Sequence, residues 1–257
     1  MRYIMNDVFS KHNIDHLSAS TINLFISEPA MCMMKLAGYS SVAGPAAWRG
    51  IAVDKALTSY ISKKVKSIDS VHHIAELEFD ERARQYCDDF DVEKINKEKA
   101  HMKKCIDAAC ITFVESCHNR KFEKSQGKVE ITFDDIPVPY IGYYDLLFDD
   151  CVIDLKTKSY ALSKVPQSDC RQLSIYAKAT GKEPWVAYIT HKEVRQFRID
   201  NVDDHLKTVE QASKSLERVL SYSDDIVECC QLFYPNFDSW YWSKQDKLNA
   251  QNIWRMT

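Results

Sequence analysis

Two aspartates and a lysine in the stretch YYDLLFDDCVIDLKT, residues 143–157, have the types and spacing for metal-assisted chemistry. With Asp149 and Asp150 as a two-residue turn, the segment reads as a β-hairpin in which Asp145 falls directly opposite Asp154. Directly opposed residues share a face, with Cβ atoms about 4.5–5.5 Å apart. Lys156, two positions after Asp154, points to that same face. The opposite face presents Tyr144, Leu146, Phe148, Cys151, Ile153 and Leu155, an apolar surface suited to a core.

Two carboxylates opposed on a sheet repel each other and cost stability. A hard divalent cation resolves that repulsion, because Mg²⁺ takes oxygen ligands, usually one or two carboxylates plus waters. Such an ion lowers the pKa of a coordinated water and neutralises charge developing on a phosphoryl group. A lysine beside it suits a role in orienting the water or stabilising the transition state. The constellation therefore points to phosphodiester hydrolysis. Taken alone, a D-x-K on a strand is more often a pair of solvated surface residues, so its surroundings decide.

The surrounding chain supplies elements of both classes. LSASTINLFISE offers Ser18 or Ser20 as an N-cap and sets Ile22, Phe25 and Ile26 on one helical face. GPAAWRGIAVDKALTSYISKKVK, with Pro45 near its start, continues the helical pattern. From about Asp80 to Arg120 the chain is charged and free of glycine, which predicts one or two amphipathic helices. β-Branched and aromatic residues then take over between about residues 128 and 160, predicting three strands. A helix over QSDCRQLSIYAKATG, stopped by Gly181, leads to two further strands in EPWVAYITHKEVRQFRI. A long amphipathic helix from about Val202 and an aromatic tail, FYPNFDSWYW, complete the chain.

The length of 257 residues suits one domain, with a mainly helical part over 1–125, a sheet core over 126–200, and a C-terminal helix and tail over 201–257. The net charge of −3 does not announce a nucleic-acid binder, but such a protein needs a local basic groove rather than a basic average. No apolar run is long enough to span a bilayer. The first residues carry charges and Asn where a signal peptide needs apolar residues, so a cytoplasmic setting is expected. Nine cysteines, none in C-x-x-C spacing, read as reduced thiols.

The motifs VEITF, IGYYDLLF, VIDLKT and QLSIY together resemble the PD-(D/E)XK nuclease superfamily, in its RecB-like exonuclease branch. The family's pattern of a strand acid, G-x-x-D, D-x-K-T and Q-x-x-x-Y falls on Glu130, Gly142 and Asp145, Asp154 and Lys156, and Gln172 and Tyr176. The resemblance covers roughly residues 128–200. A looser match places WRGIAVDKAL on the family's R-G-x-x-x-H helix, with Asp54 where most relatives carry His.

The resemblance implies an α/β core, a mixed central sheet flanked by helices, carrying a helical N-terminal portion. It implies Mg²⁺ or Mn²⁺ held by Asp145 and Asp154, joined by Glu130, Asp54 and the Leu155 carbonyl, with Lys156 assisting the water. Gln172 and Tyr176 share one helix face, being four residues apart, and would support the site or the DNA. The substrate implied is DNA, as linear duplex or single-stranded ends, and the setting a phage-type recombination, repair or degradation pathway. An exonuclease is expected; a structure- or site-specific endonuclease would use the same residues, and a catalytically inactive DNA-binding module would lack the activity.

Other features are weaker. An iron–sulfur cluster needs four thiolates, and beyond the core only Cys229 and Cys230 could join Cys32, so none is expected. Lys158, Lys164 and Arg171, with KKVK at 63–66, are candidates for a phosphate-tracking groove. The tail aromatics and Trp254 suit packing better than base stacking. His72, His73 and His191 match no zinc spacing.

Overall fold

In a computed structural model, which describes residues 7–239 and 241–255, the elements follow the expected order of helices, sheet and helices. Residues 1–6, where a leader would start, and Trp240 of the aromatic tail lie outside the described residues. Helices α1 (Val8–Lys11), α2 (Ala19–Ser27), α3 (Pro29–Leu36), α4 (Pro45–Ile61), α5 (Ile68–Tyr86) and α6 (Val92–His118) come first. Strands β1 (Phe122–Ile131), β2 (Tyr140–Phe148) and β3 (Cys151–Thr157) precede helix α7 (Gln167–Thr180), then β4 (Glu183–Ile189) and β5 (Val194–Arg198). Helices α8 (Val202–Leu220), α9 (Ile226–Cys230) and α10 (Lys244–Trp254) close the chain. None of the described helices is long and apolar enough to cross a membrane.

Local chemistry explains the boundaries. Ser18 caps α2, its hydroxyl accepting from the Thr21 N–H at 3.1 Å. Pro45 occupies the first position of α4, where its missing N–H costs nothing. Gly181 ends α7 in the left-handed region at φ 69°, as a glycine C-cap does. The charged stretch before the sheet forms two helices, α5 and α6, separated by a short 3₁₀ turn at Cys87–Asp89. α10 was not expected: its Ser243–Asp246 capping box starts a helix within what reads in sequence as an irregular aromatic tail.

The five strands form one mixed sheet in sequential order, β1 to β5. β2 and β3 are antiparallel, with Leu146 opposite Ile153 and Leu147 opposite Val152, the register expected from an Asp149-Asp150 turn. β3 and β4 run parallel, with α7 as the crossover between them, and β5 returns antiparallel to β4.

The chain divides into two compact units. One comprises the described residues of Met1–Ser41, Val129–Gly142 and Asn201–Thr257. Its core joins α2, α3, α8 and α9 around residues such as Ile22, Met33, Val209 and Leu216. Tyr140 and Ser213 are hydrogen-bonded there, and the tail packs Trp242 at 5.1 Å from the Phe237 ring.

The other unit, Val42–Lys128 and Tyr143–Asp200, holds most of the sheet. Helices α4, α5 and α6 bury Trp48, Val53, Phe79, Ile106 and Phe113 with Leu146, Phe148, Ile153, Ala187 and Ile189 from one sheet face. Strand alternation sends Asp154, Lys156 and Tyr188 to the other face, where α7 packs on β3 and β4. Burying one face under helices fixes the strand register, because a one-residue slip would bring Asp154 and Lys156 into the apolar core.

Candidate active site

A cleft of about 410 Å³ opens in the second unit, lined by Gly50, Ile51 and Asp54 of α4, Tyr143 and Asp145 of β2, Asp154 to Thr157 of β3, Lys158, and Gln172 of α7. The hairpin register delivers Asp145 and Asp154, and α4, which contacts β3, adds a third carboxylate, Asp54.

Each carboxylate has a distinct set of partners. Asp54 Oδ1 accepts from the Thr58 hydroxyl at 3.1 Å, one helical turn on. Its Oδ2 accepts from Gln126 Nε2 at 2.7 Å, and the same amide lies 3.3 Å from Asp145 Oδ1. Asp145 Oδ2 accepts from the Leu155 backbone N–H at 2.6 Å, which pins the side chain to the neighbouring strand. Asp154 is 3% exposed; its Oδ1 accepts from Gln172 Nε2 at 3.2 Å. Its buried Oδ2 lies 2.7 Å from Lys156 Nζ as an ion pair.

Lys156 is held on three sides. Its Nζ donates to Gln172 Oε1 at 3.0 Å, faces Asp154, and lies 4.0 Å from Asp169 Oδ1. Gln172 in turn donates to the Tyr176 hydroxyl at 2.8 Å, so the i, i+4 pair on α7 acts as one bracket around the lysine and Asp154. Behind it, the Tyr188 hydroxyl donates to Asp169 Oδ2 at 2.6 Å.

Electrostatics follow from this crowding. Burial pushes Asp54 up to about 6, partly opposed by the Thr58 and Gln126 hydrogen bonds and reinforced by Asp154. Asp145 is raised well above the ordinary carboxylate range by burial, then by Asp154 and Asp54. Burial also raises Asp154, against the pull of Lys156. For Lys156, burial disfavours the ammonium, but Asp154 and Asp169 outweigh it and hold the group charged.

No group of three or more His, Cys, Asp or Glu side chains among the described residues is arranged as a ready cage for a metal ion. A hard divalent cation does not require one, since it binds through one or two carboxylates and keeps its waters. The donors at the cleft are all hard oxygens: Asp145, Asp154, Asp54 and the Leu155 carbonyl. Burial of these hard oxygens, with Asp154 and Asp54 both raising Asp145, favours a bound cation over its absence. The residues therefore fit such an ion.

Of the residues singled out in the sequence, Asp54, Asp145, Asp154, Leu155, Lys156, Lys158 and Gln172 line the cleft, and Tyr176 supports Gln172. Glu130 is not among the residues that line the cleft. It is an exposed residue of β1 in the first unit, and the β1 side chain bonded to the carboxylates is Gln126. Gln126 sits at φ 52°, in the left-handed region, a local departure from extended backbone within the strand. Gly127 follows because a Cβ there would lie 2.1 Å from the Tyr144 ring. Arg171 is half-buried on α7, outside the cleft lining, as are Lys164 and KKVK. Asp169 and Tyr188 carry no sequence signal of their own.

No family model matches this chain, and no curated protein matches it. Among solved structures, the crystal structure of SSO0001 is similar at 16% identity over 52% of this chain and 70% of that one, with a TM-score of 0.32. A likeness that weak carries no argument about fold or activity.

Proposed function

We propose that this chain is a PD-(D/E)XK-type deoxyribonuclease dependent on Mg²⁺ or Mn²⁺, acting on DNA ends as an exonuclease. The observation that carries the reading is the convergence of Asp54, Asp145 and Asp154 on one cleft with Lys156 locked between Asp154, Gln172 and Asp169. An ion pair built only for stability would not set three carboxylates so that Asp154 raises the proton affinity of both Asp54 and Asp145. The preference for DNA ends and for a phage-type pathway comes from the family resemblance.

In this reading Asp145, Asp154 and the Leu155 carbonyl would hold the ion, with Asp54 as a further oxygen donor in place of the relatives' histidine. The bound ion supplies Lewis acidity toward a phosphate oxygen and a lowered pKa for water. Lys156, fixed by Gln172, orients the attacking water and stabilises charge on the phosphorus as the P–O bond to the leaving sugar oxygen breaks. Asp169 and Tyr188 keep the ammonium charged and aimed. Lys158, whose Nζ lies 5.7 Å from the Tyr188 ring centre at the cleft wall, neutralises the flanking phosphate.

End-labelled linear duplex and closed circular DNA, incubated with Mg²⁺, Mn²⁺ or EDTA, test the proposal. Metal-dependent loss of the linear DNA alone, abolished by Lys156→Ala, is the expected result. Nicking of the circle would move the assignment to an endonuclease. DNA binding without any cleavage would leave a binding module.

A further inference from the structure

A second groove of about 420 Å³ lies in the same unit, lined by Lys97, Glu98, His101 and Lys104 of α6 together with Ser159 and His191. Lys97, His101 and Lys104 recur at helical spacing, so they form one stripe with the imidazole between two ammonium groups. Neither lysine has an ion-pair partner among the described residues. The one acid present, Glu98, is already neutralised by buried Arg49. The groove is therefore locally basic on a chain of net charge −3.

His101 gives the groove its chemistry. Arg49 lies 3.1 Å from its Nδ1, and since a guanidinium can only donate, the ring proton is on Nε2. That N–H is buried behind the groove lining, with no hydrogen-bond partner among the described residues. Burial and the Arg49 charge hold the imidazole below its usual pKa, so the ring is a neutral donor. The His191 ring meets it edge to face, with centroids 5.3 Å apart and planes at 74°, so two imidazoles line the groove together with the two lysines. The groove also adjoins the cleft in sequence and through Arg49. Thr157 and Lys158 line the cleft, Ser159 lines the groove, and Arg49 Nε lies 3.4 Å from the Thr157 hydroxyl.

We infer that this groove binds one nucleotide unit of the nucleic-acid strand, its phosphate on Lys97 and Lys104 and its base against His101 and His191. Two unpaired ammonium groups match a phosphate, and the exposed His191 ring beside them matches the face of a base. The inference deepens the nuclease reading and takes the identity of the ligand from it.

The test is calorimetric titration in EDTA with deoxyadenosine 5′-monophosphate, inorganic phosphate and deoxyadenosine. The mononucleotide should bind at least several-fold more tightly than either part. Lys97→Ala with Lys104→Ala should weaken it about tenfold or more, and His191→Ala should reduce it to the level of phosphate. All three side chains are exposed, and unchanged melting temperatures would show that the fold is kept. Equal binding of phosphate and mononucleotide, no binding of any probe, or indifference to these variants would overturn the inference. Because the titration needs no divalent ion, its failure is separable from failure of the nuclease reading, which shows as absent metal-dependent cleavage.

Discussion

Gln126 donates its side-chain amide to Asp54 at 2.7 Å, joining a strand residue to a helix residue 72 positions away. The amide nitrogen, rather than its oxygen, must face the cleft, because it meets two carboxylate acceptors at once. Gln126 thus partly plays the role of a cation, bridging Asp54 and Asp145. A glutamate there would add a negative charge to the same oxygens. Gln126→Glu is expected to lower stability in EDTA by about 1 kcal/mol and to tighten Mn²⁺ binding roughly fivefold. Melting in EDTA and Mn²⁺ titration read the two effects, and opposite signs for stability and affinity are the expected signature.

Lys156 separates Asp154 from Asp169, so its removal has a structural as well as a chemical consequence. Lys156→Ala should reduce cleavage by about 100–1000-fold, as loss of a transition-state charge partner does. It should also destabilise the fold by about 3–5 kcal/mol, because two buried acids lose their counter-charge. Adding Asp169→Asn should restore part of the stability and none of the cleavage. A double-mutant cycle followed by melting and turnover separates these effects.

The hairpin and its acids were legible because strand alternation is a strict period: once Asp149-Asp150 is the turn, Asp145, Asp154 and Lys156 must share a face. The stop at Gly181 was legible for a similar reason, as glycine marks the left-handed cap. Gln126 was not, because its place depends on one residue at positive φ, and no side-chain type announces that at glutamine. Asp169 was hidden as well. An acid in the first turn of α7 reads as a complement to the helix dipole, and only the sheet beneath shows that it faces Tyr188 and Lys156. The basic groove escaped because Lys97, His101 and Lys104 look like the solvated face of an amphipathic helix until His191 is brought beside them.

The raised carboxylates give the ion-free protein an unusual pH response. Asp54 titrates near 6 when folded and near 3.8 in the ordinary case, so the folded state holds more protons between these values. Stability from this group is therefore present at low pH and is lost as pH rises through about 6. Asp145, raised well above the carboxylate range, acts with the same sign. Asp54→Asn should flatten this dependence in EDTA and raise the melting temperature at pH 8 by roughly 2–4 °C, about 1 kcal/mol for a chain of this size. Protons and the cation compete for the same oxygens, so Mn²⁺ affinity should fall as pH drops below about 6. Melting curves and Mn²⁺ titrations from pH 5 to 8 would show no difference from wild type if Asp54 lay outside the site.

Gly127 tests whether the kink at Gln126 positions the site or merely ornaments the strand. A Cβ at residue 127 would lie 2.1 Å from the Tyr144 ring, far inside contact distance. Tyr144 is buried on the apolar face of β2, one residue before Asp145, so the ring has little room to retreat. Gly127→Ala should cost about 1–3 kcal/mol, the range of an overpacked core. The displacement would be shared between Gln126 on one side and Asp145 on the other, which predicts weaker Mn²⁺ binding as well. Replacing Tyr144 by Leu in the same chain removes the obstructing ring and should recover part of both losses. If Gly127→Ala lowered stability but left Mn²⁺ affinity unchanged, Gln126 would not be the link between β1 and the carboxylates.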